Sequence, residues 1–313
     1  MKTAVLALGG NALARAGEAP TIANQFRHAR ESVVPIVELA RDGWHIAIVH
    51  GNGPQVVDEL ARNEVAHELV QPLPLGVLVA STAGWIGYML QQSLQNALDA
   101  AGVRRQVVTL VTQTLVDPAD PALSAHSKPV GHAIPPARAL EMQAAGMAVG
   151  RDGKGSWRRL AGSPLPLGMI EAEPVTQLVR DGVIVIAGGG GGPPVYRHPL
   201  LGIEGVDAVV DKDRVAAMLA VQLNADVLMI LTDVDAVYDG WGTSAAREIR
   251  RMTLADVDAM CAGCGLDEGG MKPKIQAAAA FVRAGGARAI IARLSAGPEA
   301  LRGESGTTIE REP

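Results

Sequence analysis

The sequence predicts an α/β fold: a three-layer αβα sandwich around a largely parallel open sheet, with a small protruding hairpin subdomain. Three observations carry this. Strand-like and helix-like segments alternate along almost the whole chain, the pattern of a parallel sheet covered on both faces. A chain of 313 residues that is 48% hydrophobic can bury a large core, as one big domain or two lobes. The β-branched run Val183-Ile184-Val185-Ile186-Ala187 then stops at the glycines Gly188 to Gly192, a buried strand ending in bare backbone. Residues without side chains give up chain entropy on folding, so a chain retains them where something must approach its main chain closely. At the carboxyl end of a parallel strand, a ligand is the expected visitor. A flexible linker would not be introduced by Val-Ile-Val-Ile and followed by Pro193-Pro194-Val195.

Taken in order, Thr3 to Leu8 reads as strand and Gly9-Gly10-Asn11 as a tight turn. Lys2 ahead of Ala4-Val5-Leu6-Ala7-Leu8 has the look of a signal peptide, but the turn cuts the apolar run to about half a normal h-region. Ala23 to Arg41 reads as one helix with Val33, Val34, Ile36, Val37 and Leu39 on its apolar side. Trp44 to His50 is the next strand. Pro54 suits the first turn of a following helix, so Gly51 to Gly53 lie at a helix N-terminus, where backbone donors favour anions. Val77 to Ala101 is a long helix and Gln106 to Thr112 a third strand.

From Asp117 to Leu167 the alternation breaks. Prolines crowd the stretch, and Asp152-Gly153 separates Met147-Ala148-Val149 from Trp157 to Leu160 as a hairpin would. This reads as a flap over the site. Beyond the glycine run, Asp211 stands where a helix cap belongs, ahead of Lys212 to Leu223. Val227 to Leu231 is strand, Thr253 with Asp256 opens a helix, Met271 to Ala284 is helix, Ala289 to Ala292 is strand, and Thr307 to Ile309 closes an edge.

Composition narrows the partners. The 28 basic and 33 acidic residues give a net charge of −5 without any block of like charge, which argues against nucleic acid or an anionic membrane surface. No apolar run approaches the roughly eighteen residues of a membrane span. A soluble, cytoplasmic protein with small-molecule substrates is expected. The two cysteines, Cys261 and Cys264, form a C-x-x-C with no further His or Cys nearby to complete a zinc site, and read as buried or incidental thiols.

Two common phosphate-binding motifs are absent. The turn Gly9-Gly10-Asn11-Ala12-Leu13 is not G-x-G-x-x-G, and Gly51-Asn52-Gly53 has Val56 where the third glycine belongs. Gly153-Lys154 lacks both the leading glycine and the hydroxyl of a P-loop. What remains is a set of glycine-bearing loops at strand ends together with Lys128, Lys212 and Lys274. That suits a polyphosphate lying across the sheet. Lys212 lies between Asp211 and Asp213, which can hold an ammonium in place or form a solvated helix start.

Ala7 to Leu13, His50-Gly51-Asn52-Gly53-Pro54-Gln55-Val56, Gly87 to Leu90, Val116 to Pro121, Lys128-Pro129-Val130-Gly131, Trp157-Arg158-Arg159, Val209 to Asp213, Leu231 to Tyr238 and Met271 to Lys274 together resemble the carbamate kinases of the amino acid kinase superfamily. The resemblance runs end to end. Ala7 stands where relatives that phosphorylate acetylglutamate or aspartate carry a lysine. The chain departs from the family pattern at Val57, Ala83, Pro193 and Lys272.

The resemblance implies ATP + carbamate ⇌ ADP + carbamoyl phosphate, with Mg2+ accompanying the nucleotide. It implies that Gly9, Gly10, Asn11, Gly51, Asn52, Gly53, Gly189 and Gly190 hold the transferred phosphoryl and the carbamate. Lys212 and Lys274 are expected to bridge the phosphates, Lys128 to reach the carbamoyl group, and Asp211 to orient the lysines. Asp233, Ala236, Tyr238 and Met271 are expected to border the nucleotide. No resident metal ligands are expected. Residues 1–200 form an N-terminal lobe on the carbamate side, with 117–167 as its flap, and 201–313 a lobe on the nucleotide side. A homodimer pairing through Val77 to Ala101 is expected from Leu78, Trp85, Ile86, Met89, Leu90 and Leu94, more apolar surface than one sheet face covers. Two other readings stay open: a kinase for another small carboxylate, and a non-catalytic ATP-binding regulator.

Overall fold

Strand β1 (Thr3–Leu8) sends alternate side chains into two different cores: Val5 and Ala7 into one, Ala4, Leu6 and Leu8 into the other. Both faces of this strand are therefore covered, as a parallel strand requires. The computed structural model describes residues 1–10, 13–14, 17–153, 155–263 and 270–312. Across its main sheet the order is β15 (Arg251–Thr253), β17 (Thr307–Glu310), β16 (Arg288–Arg293), β12 (Val227–Thr232), β1, β2 (His45–His50), β9 (Ile184–Ile186) and β3 (Val107–Thr109). Every neighbouring pair is parallel except β16 with β17.

Helices α7 (Ala172–Arg180), α8 (Lys212–Gln222), α9 (Leu254–Ala262) and α10 (Met271–Arg283) cover one face, contributing Val175, Leu219, Val257 and Phe281 to its core. On the other face lie α1 (Ile22–Ser32), α2 (Val34–Arg41), α4 (Leu75–Ala100) and α11 (Gly297–Leu301), with Ala29, Ile36, Leu90 and Ala300. The result is the three-layer sandwich. Helix α3 (Gly53–Ala66) leaves the end of β2.

The segment 117–167 is the excursion that the sequence marks. After α5 (Pro121–Ala125), strands β5 (Lys128–Ile134), β6 (Val149–Arg151) and β7 (Trp157–Ala161) form an antiparallel sheet in the order β5-β7-β6. The β6–β7 pair is the Asp152-Gly153 hairpin, and α6 (Pro136–Ala144) packs Ala139 and Met142 onto Val149 with Trp157 beside them. A separate sheet of β4 (Thr114–Val116), β8 (Pro166–Met169), β10 (Pro194–His198) and β11 (Gly202–Gly205) connects this flap to the body. Strands β13 (Val237–Asp239) and β14 (Arg247–Ile249) pair on their own.

Several sequence expectations are corrected here. The helix expected over Ala23 to Arg41 divides at Val33 into α1 and α2, because Pro35 has no N–H to continue the ladder. The third strand is only Val107–Thr109; past it the Thr112 hydroxyl takes the Gly188 N–H at 2.8 Å and the chain turns into another sheet. Thr307–Glu310 is not an edge, since β15 pairs outside it.

The apolar circumference of α4 is spent within the chain. Ile86, Met89, Leu90 and Leu94 join the main core, Leu78 joins a smaller cluster with Val56 and Leu60, and Trp85 packs against the core half-buried. Five of the six residues on which the expected pairing rests are thus buried within the chain, and Trp85 is half-buried. Among the described residues, no helix is long and apolar enough to cross a membrane.

Candidate active site

Strands β12, β1, β2 and β9 are adjacent and parallel, so the loops at their carboxyl ends line one crevice. Each loop is one that the sequence singles out: Thr232-Asp233, Gly9-Gly10, Gly51-Asn52 and Gly188 to Gly192. Gly9 donates its N–H to Leu231 O at 3.0 Å, tying the first two loops together. Gly51 sits so close to the next that a β-carbon there would lie 3.0 Å from Gly10 N and 3.2 Å from Lys212 Cδ. Gly190, at φ +67°, leaves even less room, since a β-carbon would fall 2.1 Å from Asn52 Nδ2. Asn52 in turn donates Nδ2–H to Thr82 Oγ1 of α4 at 2.9 Å. Bare backbone is therefore a packing requirement at Gly51 and Gly190. Gly189 is likewise buried, whereas Gly53 is exposed at the first turn of α3. Asn11 lies outside the described residues.

The cations arrive on carboxylates at the start of α8. Asp211 caps the helix, its Oδ1 accepting from Asp213 N at 2.9 Å and Arg214 N at 3.3 Å, while its Oδ2 accepts from Lys128 Nζ of the flap at 2.9 Å. Asp213, with 3% of its side chain exposed, accepts from Lys212 Nζ on Oδ1 and from Lys274 Nζ of α10 on Oδ2 at 3.1 Å. The orienting role expected of Asp211 is thus divided. Asp211 holds Lys128, and Asp213 holds the other two lysines. The sequence signal for Asp213 is its place beside Lys212, but nothing local shows that Lys274 shares it.

Burial and charge act oppositely on these groups. Burial pulls the Lys212 ammonium below the ordinary lysine range and the nearby Lys274 adds to this, while Asp213 and Asp211 oppose it. For Asp211, burial favours the neutral acid, but the Lys128 and Lys212 charges and the Arg214 N–H outweigh it and hold the carboxyl well below the usual carboxylate range.

Across the crevice, Asp233 follows β12, and buried Ala236 precedes β13, whose Val237 N–H donates to Thr307 Oγ1 at 2.8 Å. Half-buried Tyr238 places its ring 5.2 Å from that of exposed Trp241. Arg293, at the end of β16, pairs with Asp235 and feels the charge of Asp233. Neither Trp241 nor Arg293 stands out in the sequence. Met271 opens α10, one turn before Lys274. Cys261 is a half-buried free thiol in α9, and Cys264 lies outside the described residues.

The model of the amino acid kinase family matches residues 2–293. A carbamate kinase of Pyrococcus horikoshii is 41% identical over 97% of this chain and 98% of its own length. One of Escherichia coli K12 is 44% identical over 99% of each chain. Among solved structures, the carbamate kinase of Giardia lamblia bound to AMP-PNP superposes with a TM-score of 0.92 at 36% identity, covering 99% of this chain and 98% of that one.

Proposed function

The chain belongs to the amino acid kinase family, among the carbamate kinases, and is an enzyme transferring phosphoryl between ATP and carbamate; from that premise we propose how its residues divide the work. The observation that carries the assignment is the pair Lys212 and Lys274, brought from α8 and α10 onto one buried carboxylate, with the Lys212 side chain against Gly51.

Carbamate is already an anion, so its oxygen needs no general base. What the reaction needs is two anions held in line and the charge on the equatorial oxygens balanced. Gly9, Gly10, Asn11, Gly51, Asn52 and Gly53, with Gly189 and Gly190, hold the transferred phosphoryl and the carbamate; the Gly9 and Gly51 N–H groups are already given to Leu231 O and Leu8 O, so these two contribute bare backbone rather than donors. Lys212 and Lys274 bridge the phosphates. Asp213 keeps their ammoniums in the crevice before substrate arrives. Lys128 swings with the flap from Asp211 towards the carbamoyl group. Asp233, Ala236, Tyr238 and Met271 border the nucleotide.

Among the described residues no cluster of three or more His, Cys, Asp or Glu side chains could cage a metal. A Mg2+ carried on the nucleotide's phosphates would supply charge neutralisation there. The direct test is ATP formation from ADP and carbamoyl phosphate by purified protein. No ATP, or ADP release with acetate as fast as with carbamate, would refute this assignment.

The flap closes over bound substrate. Among the contacts that tie it to the body are Lys128 to Asp211, His132 Nε2 to Asp58 Oδ1 of α3 at 3.0 Å, and the Val209 N–H to Gly162 O at 3.0 Å. Hydrogen exchange across residues 117–167 is expected to slow when ADP and a carbamate analogue are added. Equal protection with and without them would remove the closure.

The protein pairs as a homodimer with each active site complete in one chain. Strand β3 is a sheet edge, and the outer face of α4 beside it exposes Val77 and Tyr88. Between α4 and β3 lies an open hollow of about 510 Å3 lined by Tyr88, Gln92, Thr109 and Val111. Light scattering at micromolar concentration is expected to give twice the chain mass. A monomeric mass would remove the interface and leave the catalytic roles standing.

A further inference from the structure

His50 ends β2, immediately before the Gly51–Asn52 turn, and the division of work above leaves it without a task. Its ring is buried, with 1% of the residue exposed. Nδ1 lies 3.1 Å from the carbonyl oxygen of Gly51. A carbonyl only accepts, so in this contact Nδ1 carries the proton and donates it. Nε2 is buried too and closes no well-formed hydrogen bond among the described residues, although the Ala83 carbonyl lies near the ring. That edge of the ring faces the glycine run: a β-carbon on Gly189 would fall 2.6 Å from Nε2 and 2.9 Å from Ala83 Cβ.

The imidazole therefore spans two loops at neighbouring strand ends, with one nitrogen on the Gly51 carbonyl and the other edge against Gly189. Asn52 makes a parallel span one residue on, set against Gly190 and fixed by Thr82. Because a peptide unit is planar and trans, holding the Gly51 carbonyl on the ring turns the Asn52 N–H to the opposite side, at the start of α3.

We propose that His50 is a positioning residue for the transfer: it donates from Nδ1 to Gly51 and seats Gly189, fixing the spacing between the turn and the glycine run. It touches no substrate. The role rests on the reading that these two loops hold the phosphoryl group and the carbamate. Burial, aided by the Lys212 charge and opposed by the Gly51 and Ala83 carbonyls, pushes the ring down to about 4, so it stays neutral while the enzyme works.

Two variants separate positioning from bulk. His50→Leu fills similar space without a donor, whereas His50→Asn places an amide N–H near the position of Nδ1. Expected is a fall in kcat of about tenfold or more for His50→Leu, a raised KM for carbamoyl phosphate, an ADP KM within about twofold of wild type, and recovery of most of kcat in His50→Asn. Equal losses in the two variants, or an unchanged His50→Leu, would overturn the role while wild-type turnover still upheld the reaction. Should His50→Leu not fold, 15N spectra of the wild-type histidines decide, with His50 identified by its loss in His50→Asn. A proton on Nδ1 is expected, and one on Nε2 would overturn the proposal.

Discussion

Replacing Lys212 with Ala is expected to abolish turnover and leave the fold intact. The fold survives because Asp213 keeps Lys274 as its partner at 3.1 Å, so no buried carboxylate is orphaned. Turnover does not, because the Lys212 side chain lies against Gly51 and brings its positive charge to the loops proposed to hold the transferring group. Its loss raises the barrier by about 3 kcal/mol or more, roughly two orders of magnitude in kcat. Lys212→Arg fails as well, since a planar fork does not replace a compact ammonium between Asp213 and Gly51. Steady-state kinetics with circular dichroism check both, and near-normal kcat in Lys212→Ala would sink the role.

The pH profile gives a second view of the same group. Lys212 is active as the ammonium, and its pKa is depressed in the free protein. Activity is therefore present below that pKa and lost as pH rises through it, so kcat/KM falls at lower pH than an ordinary lysine would dictate.

Asp213→Ala is expected to do more, because it damages both stability and chemistry. Lys212 and Lys274 have side chains only 13% and 17% exposed, and each loses its carboxylate in this variant. Two like charges then face one another in a poorly solvated pocket. Removing one partner of a well-buried pair costs about 3–5 kcal/mol, and the residual exposure of these lysines brings the expected loss to about 2–3 kcal/mol. That is a drop of several degrees in Tm. The kcat is expected to fall at least as far as in Lys212→Ala, because neither ammonium is held where the phosphates arrive. Asp213→Asn keeps the shape and the acceptor oxygen, and is expected to recover Tm more than kcat. Thermal melts beside kinetics test this, and a variant with wild-type Tm and kcat would show that Asp213 is a bystander.

The Asp213 case also marks where sequence reading stops. The alternation of elements, the Thr253–Asp256 capping box, the Asp211 cap, the Asp152-Gly153 hairpin and the glycine run after β9 are all legible in the chain, and the structure has each of them. Each is written within a few residues: a side-chain period, a cap bonded two or three positions on, a turn that only certain residues accept. Such signals survive without any knowledge of what lies across the sheet. The close approach of the loops was legible too, because Gly51 and Gly190 stand where a β-carbon would meet the neighbouring loop.

What the chain alone did not disclose depends on groups that meet from far apart. Lys274 reaches Asp213 across 61 residues and Lys128 reaches Asp211 across 83, so which carboxylate holds which lysine is decided by where α8, α10 and the flap are placed around one sheet. For the same reason α4 looked too apolar for a single face. Its stripe is read from one helix, but the area available to bury it belongs to the sheet and the neighbouring helices. Local patterning determined the elements and the glycine-bearing strand ends; packing between distant elements decided the charge pairs, the burial of α4 and the interior place of β17, because those are set by which surfaces face one another.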